Sequence, residues 1–152
     1  MTPEERLAER GIVLPDPPAP AAAYVPWTRA GDLVFTAGQL PLEGGELVAT
    51  GVLGDSLDLE VGQRCARACA VNVLAQVRAA AGELSQVRRM VKLTVFVASA
   101  PSFTDQHLVA NGASALIGEV LGDAGRHARS AVGVACLPMN APVEVEAVVE
   151  LA

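Results

Sequence analysis

The run from Val143 to Leu151 has the clearest pattern of apolar and polar positions in the chain. Its odd-numbered positions are apolar, and Glu144, Glu146 and Glu150 lie between them. Because successive side chains of a strand point to opposite faces of a sheet, this alternation predicts a strand with one face against a core. Val148 interrupts the acidic row, so the second face is mixed rather than fully polar.

A second long strand is predicted from Val87 to Ser99, and Pro101 ends it. One face of this strand carries Val91, Leu93, Val95 and Val97, and the other carries Met90, Lys92, Thr94 and Phe96. The second row is again neither fully polar nor fully apolar. Solvent alone would favour a more polar row, so we expect this face of the sheet to be buried against another subunit.

Helical periodicity is strongest over residues 58–82, where the apolar positions, among them Val61 and Leu74, lie along one broad face. A second helix is predicted from Phe103 to Leu121. A short helix begins near Thr2, which supplies a capping hydroxyl before a proline and two acids, and it ends by Gly11. Residues 15–23 are rich in proline and alanine and predict an extended arm on the surface.

Four shorter strands complete the prediction: Tyr24 to Arg29, Leu33 to Ala37, Glu46 to Ala49 and Arg129 to Leu137. The element order is then β-β-β-α-β-α-β-β. We expect one α+β domain over residues 1–152, with residues 1–23 as an N-terminal helix and arm. Its two main helices would cover one face of a six-stranded mixed sheet.

Composition narrows the compartment in which the chain works. No apolar stretch approaches the roughly 18 residues that a membrane-spanning helix needs. The first ten residues are charged and lack the apolar segment of a secretory signal. The three cysteines, Cys65, Cys69 and Cys136, are an odd, sparse set typical of reduced thiols. We therefore expect a cytoplasmic protein with no membrane partner.

The charge and the scarcity of aromatic residues argue against nucleic acid as a partner. The net charge is −6, and the chain has one Trp, one Tyr and three Phe. Binding to nucleic acid needs a basic surface and usually aromatic stacking platforms. The one basic cluster, Arg88, Arg89 and Lys92, enters a predicted strand.

Motifs for metals and nucleotides are missing from the sequence. Cys65 and Cys69 are four apart on one helix, without a nearby histidine, so core packing is the favoured interpretation. His107 and His127 belong to no metal-binding spacing. No glycine-rich nucleotide motif and no nucleophile elbow occurs. We expect no metal site and no binding of a dinucleotide or a nucleoside triphosphate.

Arg129 and Glu144 are the candidate functional residues. Arg129 begins an apolar strand, where a guanidinium is costly to desolvate without an anionic partner. Two anionic partners are about equally favoured by the residues alone. One is a ligand carboxylate, and the other is a structural salt bridge with Glu144 or Glu146 on a neighbouring strand. A partly buried Glu144 could hold or deprotonate a water. From the residues alone, the favoured alternative is that Glu144 is simply solvated or is paired with another group at an interface.

Several segments resemble the RidA (reactive intermediate deaminase, YjgF-type) family, as a divergent subgroup. They are Tyr24-Val25, Leu33 to Pro41, Val91 to Val97, Arg129 to Ala135 and Val143 to Ala147, in the family's order. The resemblance runs from about Tyr24 to Leu151. It implies a chorismate-mutase-like α+β fold, a homotrimer with ligand pockets between subunits, and no cofactor. It also implies an activity, the hydrolysis of reactive enamines and imines to 2-oxo acids and ammonia.

The resemblance also assigns roles to individual residues. Arg129 matches the arginine that binds the substrate carboxylate, and Glu144 matches the glutamate that positions the attacking water. Tyr24 and Asn111 match pocket residues, and Gly38 can offer a backbone N–H. The implied partner is a small metabolite that bears a carboxylate. A non-catalytic trimer that binds such a carboxylate is the alternative.

Two positions depart from the deaminase-type pattern. Ala131 stands where those members have cysteine, and Ala37 stands where they have serine. Both changes leave a more apolar pocket and favour the binding alternative somewhat. Family members are also often described as endoribonucleases, a function that the acidic charge of this chain argues against.

Overall fold

The computed structural model describes residues 1–17 and 23–152. Its helices are α1 (Pro3–Glu9), α2 (Leu59–Ala81) and α3 (Gln106–Leu121), and short 3₁₀ turns cover Leu84–Gln86, Gly122–Gly125 and Pro138–Asn140. Its strands are β1 (Trp27–Ala30), β2 (Leu33–Thr36), β3 (Leu42–Glu43), β4 (Glu46–Leu47), β5 (Val87–Ala98), β6 (Ala128–Val134) and β7 (Val143–Leu151). The predicted α+β order is therefore present, with one further strand.

Five of the strands form one mixed sheet in the order β1-β2-β7-β5-β6, in which only β5 and β6 are parallel. The prediction of six strands in this sheet is wrong. Glu46–Leu47 pairs instead with Leu42–Glu43 in a separate two-stranded ladder. Gly44 and Gly45 both have positive φ, as two-residue hairpin turns require, so the chain reverses directly and β4 pairs with β3.

Helices α2 and α3 cover one face of the sheet and enclose the core with it. Asp58 caps α2 by accepting a hydrogen bond from the backbone N–H of Val61. Gly112 of α3 lies so close to the carbonyl of Gln63 on α2 that a Cβ there would overlap it. The odd-numbered row of β7 is buried beneath these helices, as the alternation predicts.

The N-terminal segment packs on the domain. Leu7 and Leu14 are buried in the main core, and Arg6 donates a hydrogen bond to the carbonyl of Val120 in α3. The Thr2 hydroxyl caps the helix, as the sequence predicts, and the Glu5 side chain completes a capping box with it. The predicted arm over residues 15–23 falls largely on residues 18–22, which lie outside the described residues.

Strand β5 contains two β-bulges that change the predicted assignment of faces. Arg88 and Val91 have no partner on β7, because Val87 and Arg89 pair with Leu151 and Glu150, and Met90 and Lys92 pair with Val149 and Val148. Met90 is therefore buried on the helix face and Val91 is only partly buried. The prediction assigned Met90 and Val91 each to the opposite face, because it assumed an unbroken alternation. It is wrong for these two residues, since a bulge inverts the alternation on one side of it.

The second face of the sheet is not covered by any helix of the described residues. Phe35 is 41% exposed and Val132 is 43% exposed on this face. Glu144 and Glu146 point to it from β7 and are half-buried. The search of the described residues for a helix long and apolar enough to cross a membrane found none.

Candidate functional site

Arg129 lies at the start of the edge strand β6 and extends along one face of α3. It pairs with Leu93, a buried residue of β5, so its side chain starts on the helix face of the sheet. Nη1 donates hydrogen bonds to Asn111 Oδ1 (2.9 Å) and to Ser114 Oγ (3.1 Å), and Nη2 donates to the carbonyl of His107 (3.0 Å). Residues 107, 111 and 114 share one side of α3 by their spacing. Arg129 and Asn111, both predicted, are thus in direct contact.

The positive charge of Arg129 is not neutralised by these contacts. All three acceptors are neutral, and the ion pairs found within residues 1–17 and 23–152 do not include Arg129. A guanidinium has five N–H groups, so Nε–H and one N–H of Nη2 are left after three bonds. These adjacent nitrogens can bind both oxygens of a carboxylate.

The alternative of a structural salt bridge between Arg129 and Glu144 or Glu146 is wrong. It required β6 and β7 to be neighbours, but β5 lies between them. Glu144 and Glu146 pair with Phe96 and Thr94 and point away from the helices, whereas Arg129 points towards them.

Ser114 also contacts His127, a residue that sequence reasoning did not connect with the site. Ser114 Oγ lies 2.8 Å from Nε2 of His127, and Nδ1 of the same ring lies 2.6 Å from the carbonyl oxygen of Gly125. A continuous set of hydrogen bonds therefore runs from the turn after α3 to the Arg129 guanidinium.

Glu144 and Gly38 form the second part of the predicted site. Gly38 follows β2, and a Cβ at this position would overlap the Glu144 carboxylate. Burial raises the pKa of the Glu144 carboxyl above its ordinary value, and the nearby Glu146 carboxylate raises it further. The N–H of Gly38 makes no hydrogen bond with the described residues, whereas Ala37 donates to Pro26 and Gln39 donates to Val145. It is available to a ligand.

Tyr24 lies beside this second part, near β1. Its side chain is half exposed and borders a shallow depression of about 480 Å³ with Trp27 and Phe35. Ala37 lines the same depression. Ala131, in contrast, lies two residues after Arg129 on the same face of β6 and packs partly against the core.

The predicted site residues therefore fall into two groups. Arg129, Asn111 and Ala131 lie at the β6 edge of the sheet, whereas Glu144 lies on the central strand β7 with Gly38 against it, and Tyr24 lies near the opposite edge strand β1. Strands β6 and β7 are two strand spacings apart, which corresponds to roughly 10 Å at about 4.8 Å per spacing, and Arg129 and Glu144 point to opposite faces of the sheet. One chain brings together the members of each group but not the two groups.

The buried cysteines are part of the core, as predicted. Cys65 and Cys69 are fully buried in α2. Burial raises the pKa of Cys65 to about 11, so its thiol stays protonated at neutral pH. Across the part of the chain that the structure describes, no group of three or more His, Cys, Asp or Glu residues could hold a metal ion.

Comparison with known proteins identifies relatives over nearly the whole chain. A family model described as "YjgF/chorismate mutase-like, putative endoribonuclease" matches residues 4–151. The match begins earlier than the motifs, which start near Tyr24, and it includes most of α1. Protein TCP17 of Trypanosoma cruzi is 53% identical over 146 residues, which are 95% of this chain and 91% of that protein.

Two crystal structures show how far the fold is shared. A protein of Shewanella oneidensis MR-1 with the same endoribonuclease description is 32% identical, with a TM-score of 0.97 over 99% of this chain and 100% of that one. TdcF of E. coli, solved with bound serine, is 28% identical, with a TM-score of 0.66 over 90% of this chain and 94% of that one. The fold, the motifs and these matches together show that the chain belongs to the YjgF/chorismate mutase-like family.

Proposed function

We propose that the protein hydrolyses reactive imines and enamines of small 2-oxo acids, and that it does so in clefts between the subunits of a homotrimer. The observation that carries this proposal is the Arg129 guanidinium, which is held by three neutral acceptors and has two adjacent N–H groups left for a carboxylate. TdcF, a relative of this chain, binds serine, which is itself a small carboxylate with an amino group.

The chemistry follows from a carboxylate anchor and an acid with a raised pKa. Arg129 holds the carboxylate of the substrate iminium. A water held by Glu144 attacks the iminium carbon, its oxygen forms the new C–O bond, and the C=N π electrons move to nitrogen while Glu144 accepts the proton. Glu144 then returns the proton to the amine, the electrons of the C–N bond leave with ammonia, and the hydroxyl gives its O–H proton back to the Glu144 carboxylate as the carbonyl forms. A raised pKa suits a group that must both accept and return a proton near neutral pH.

A second copy of the chain is needed for this reaction. Arg129 and Glu144 point to opposite faces of one sheet, with β5 between their strands. The face that carries Glu144 is mixed and uncovered, as expected of a face that packs on another subunit. We infer that each cleft combines Arg129, Asn111 and Ala131 of one copy with Tyr24, Gly38 and Glu144 of the next.

The test is a coupled assay in which an amino-acid oxidase generates imines and the formation of keto acid is followed. Arg129→Ala should lower kcat/KM about 10- to 100-fold, since a charge-assisted hydrogen bond is worth about 1.5–3 kcal/mol. Arg126→Ala is the matched control, because Arg126 is an exposed arginine three residues earlier and its substitution removes the same charge. A wild-type protein that does not accelerate keto-acid formation, or an Arg129→Ala variant equal to it, would refute the proposal.

The alternative is a trimer that binds small carboxylates without turnover. It is favoured by Ala37 and Ala131, which take polar groups away from the pocket relative to the deaminase-type pattern. Calorimetric titration with pyruvate or benzoate separates the two functions. Binding that depends on Arg129, without any acceleration of imine hydrolysis, would establish the binding function.

A further inference from the structure

We propose that Ser114 and His127 are positioning residues that fix the orientation of the Arg129 guanidinium for a carboxylate ligand. The inference rests on the proposed function for the identity of the ligand. The arrangement of protons, however, follows from the described contacts alone and can be tested without any ligand.

The positions of the protons are determined by the last acceptor in the series. A carbonyl oxygen can only accept, so Nδ1 of His127 must carry the proton of its contact with Gly125. In the neutral ring Nε2 is then an acceptor, and the Ser114 hydroxyl donates to it. The lone pairs of Ser114 Oγ are left to accept the N–H of Arg129 Nη1. Every donor thus meets one acceptor, with a single neutral tautomer of His127.

The two residues that contact the His127 ring, Ser114 and Gly125, both belong to packed elements of the fold. Ser114 lies inside α3, one turn after Asn111. Gly125 belongs to the 3₁₀ turn after α3 and packs closely on that helix, because a Cβ at Gly125 would lie 2.6 Å from the Ile117 carbonyl oxygen. A side chain at position 125 would push the turn and its carbonyl away from His127.

The consequence for Arg129 is a fixed orientation of its free N–H groups. Asn111, Ser114 and His107 hold the two terminal nitrogens from the α3 side. Without Ser114, one N–H of Nη1 loses its acceptor and the guanidinium can turn. A protonated His127 would also disturb the series, because Nε2–H would donate to Ser114 and a second positive charge would lie one hydroxyl away from Arg129.

The first experiment determines the tautomer of His127 by long-range ¹H–¹⁵N correlation on the ligand-free, full-length protein at neutral pH. The expected result is a protonated Nδ1 and an unprotonated, hydrogen-bonded Nε2, with the Nε2 signal shifted in Ser114→Ala. The opposite tautomer, or a His127 spectrum that Ser114→Ala does not change, would overturn the proposal whatever the protein's activity.

The second experiment measures the dissociation constants of pyruvate and benzoate for a series of variants. Ser114→Ala should weaken binding about five- to tenfold, the value of one hydrogen bond, and Ser114→Thr should restore it because the hydroxyl is kept. His127→Gln should have a smaller effect than His127→Ala, since its amide oxygen can still accept from Ser114. Ser85→Ala, at an exposed serine that contacts only Glu83 among the described side chains, is the matched control.

The two experiments distinguish a failure of the positioning role from a failure of the proposed function. If Ser114→Ala folds with an unchanged Tm and binds carboxylates as tightly as the wild type does, the positioning role is wrong. If the wild type binds no carboxylate, the proposed function is wrong, and the spectrum of His127 still decides whether the proton arrangement exists. In turnover, a positioning role predicts that Ser114→Ala raises KM more than it lowers kcat, and a general structural defect would lower kcat as well.

Discussion

Mixing two strongly impaired variants offers the sharpest test of a site shared between subunits. Arg129→Ala removes the carboxylate anchor at the β6 edge, and Glu144→Gln removes the acid–base group on the opposite face of the sheet. Each variant alone should keep only a small fraction of the wild-type activity in imine hydrolysis. Because the two residues are held in separate groups within one chain, a functional cleft can combine them only from different copies.

The expected recovery can be worked out from the symmetry of a cyclic trimer. A cleft is complete when the subunit that supplies Arg129 and the next subunit, which supplies Glu144, are both intact at those positions. In an equal mixture each condition is met with a chance of about one half, so about a quarter of the wild-type activity should return. A site contained in one chain would return no activity above that of the two variants assayed separately.

A second measurement uses a mixture of the wild type and the double variant that carries both Arg129→Ala and Glu144→Gln. A shared cleft again predicts about a quarter of the wild-type activity, whereas a site within one chain predicts about half. The variants carry different tags, are co-expressed, and are assayed as the doubly tagged oligomer and as the unfractionated mixture. Light scattering during gel filtration gives the number of subunits. No recovery in the first mixture together with half activity in the second would refute a shared cleft.

Three further predictions concern stability. Gly112→Ala should lower the free energy of unfolding in urea by about 1–3 kcal/mol, because the added Cβ overlaps the carbonyl of Gln63 on α2. Gly118→Ala, in the same helix with no atom within 4 Å of the added Cβ, should raise it by up to about 1 kcal/mol, and a similar effect of both changes would contradict the packing described. Leu93→Ala should cost about 2–5 kcal/mol in the same titration, since this side chain is fully buried, and a smaller loss would mean that the core collapses around it. Glu144 has a raised pKa in the folded state. Just above the ordinary glutamate pKa, the native state therefore binds more protons than the unfolded state, and the destabilising effect of the Glu144 carboxylate grows as the pH rises through this range. Glu144→Gln should therefore raise Tm at pH 7 and leave it nearly unchanged near pH 4, and an equal shift at both values would show that the carboxyl is not destabilised by burial.

Regular alternation explains how much of the fold is predictable from the sequence. The last strand has the predicted bounds, Val143 to Leu151, because apolar and acidic positions alternate along it with Val148 as the exception. The bulges of β5 could not be predicted, since a bulge is defined by the partner strand and not by the residues of the strand itself. Strand β3 is missed for a similar reason, because its two residues are too few to show any period, and the strand predicted from Glu46 to Ala49 pairs with it instead of with the main sheet.

The candidate site is also only partly predictable from the sequence. Arg129, Glu144 and Asn111 are recognised from motifs, but whether they meet depends on the sheet order, which places β5 between β6 and β7. Ser114 and His127 are missed because they lie on different elements and belong to no motif. The spacing of positions 107, 111 and 114 on one helix face is the signal that could have indicated which side of α3 accompanies Arg129.

The two bulges of β5 bear on how the family can gain or lose residues. The part of β5 from Lys92 onward is paired on both sides, with β6 and with β7, so its register also decides on which face Arg129 lies. The extra residues at Arg88 and Val91 come before that part. A one-residue deletion at Val91 would remove the bulge and restore plain alternation between Met90 and Lys92, with both side chains still on their present faces. The start of β5 is therefore a place where a length change can be absorbed without moving the anchor to the wrong side of the sheet.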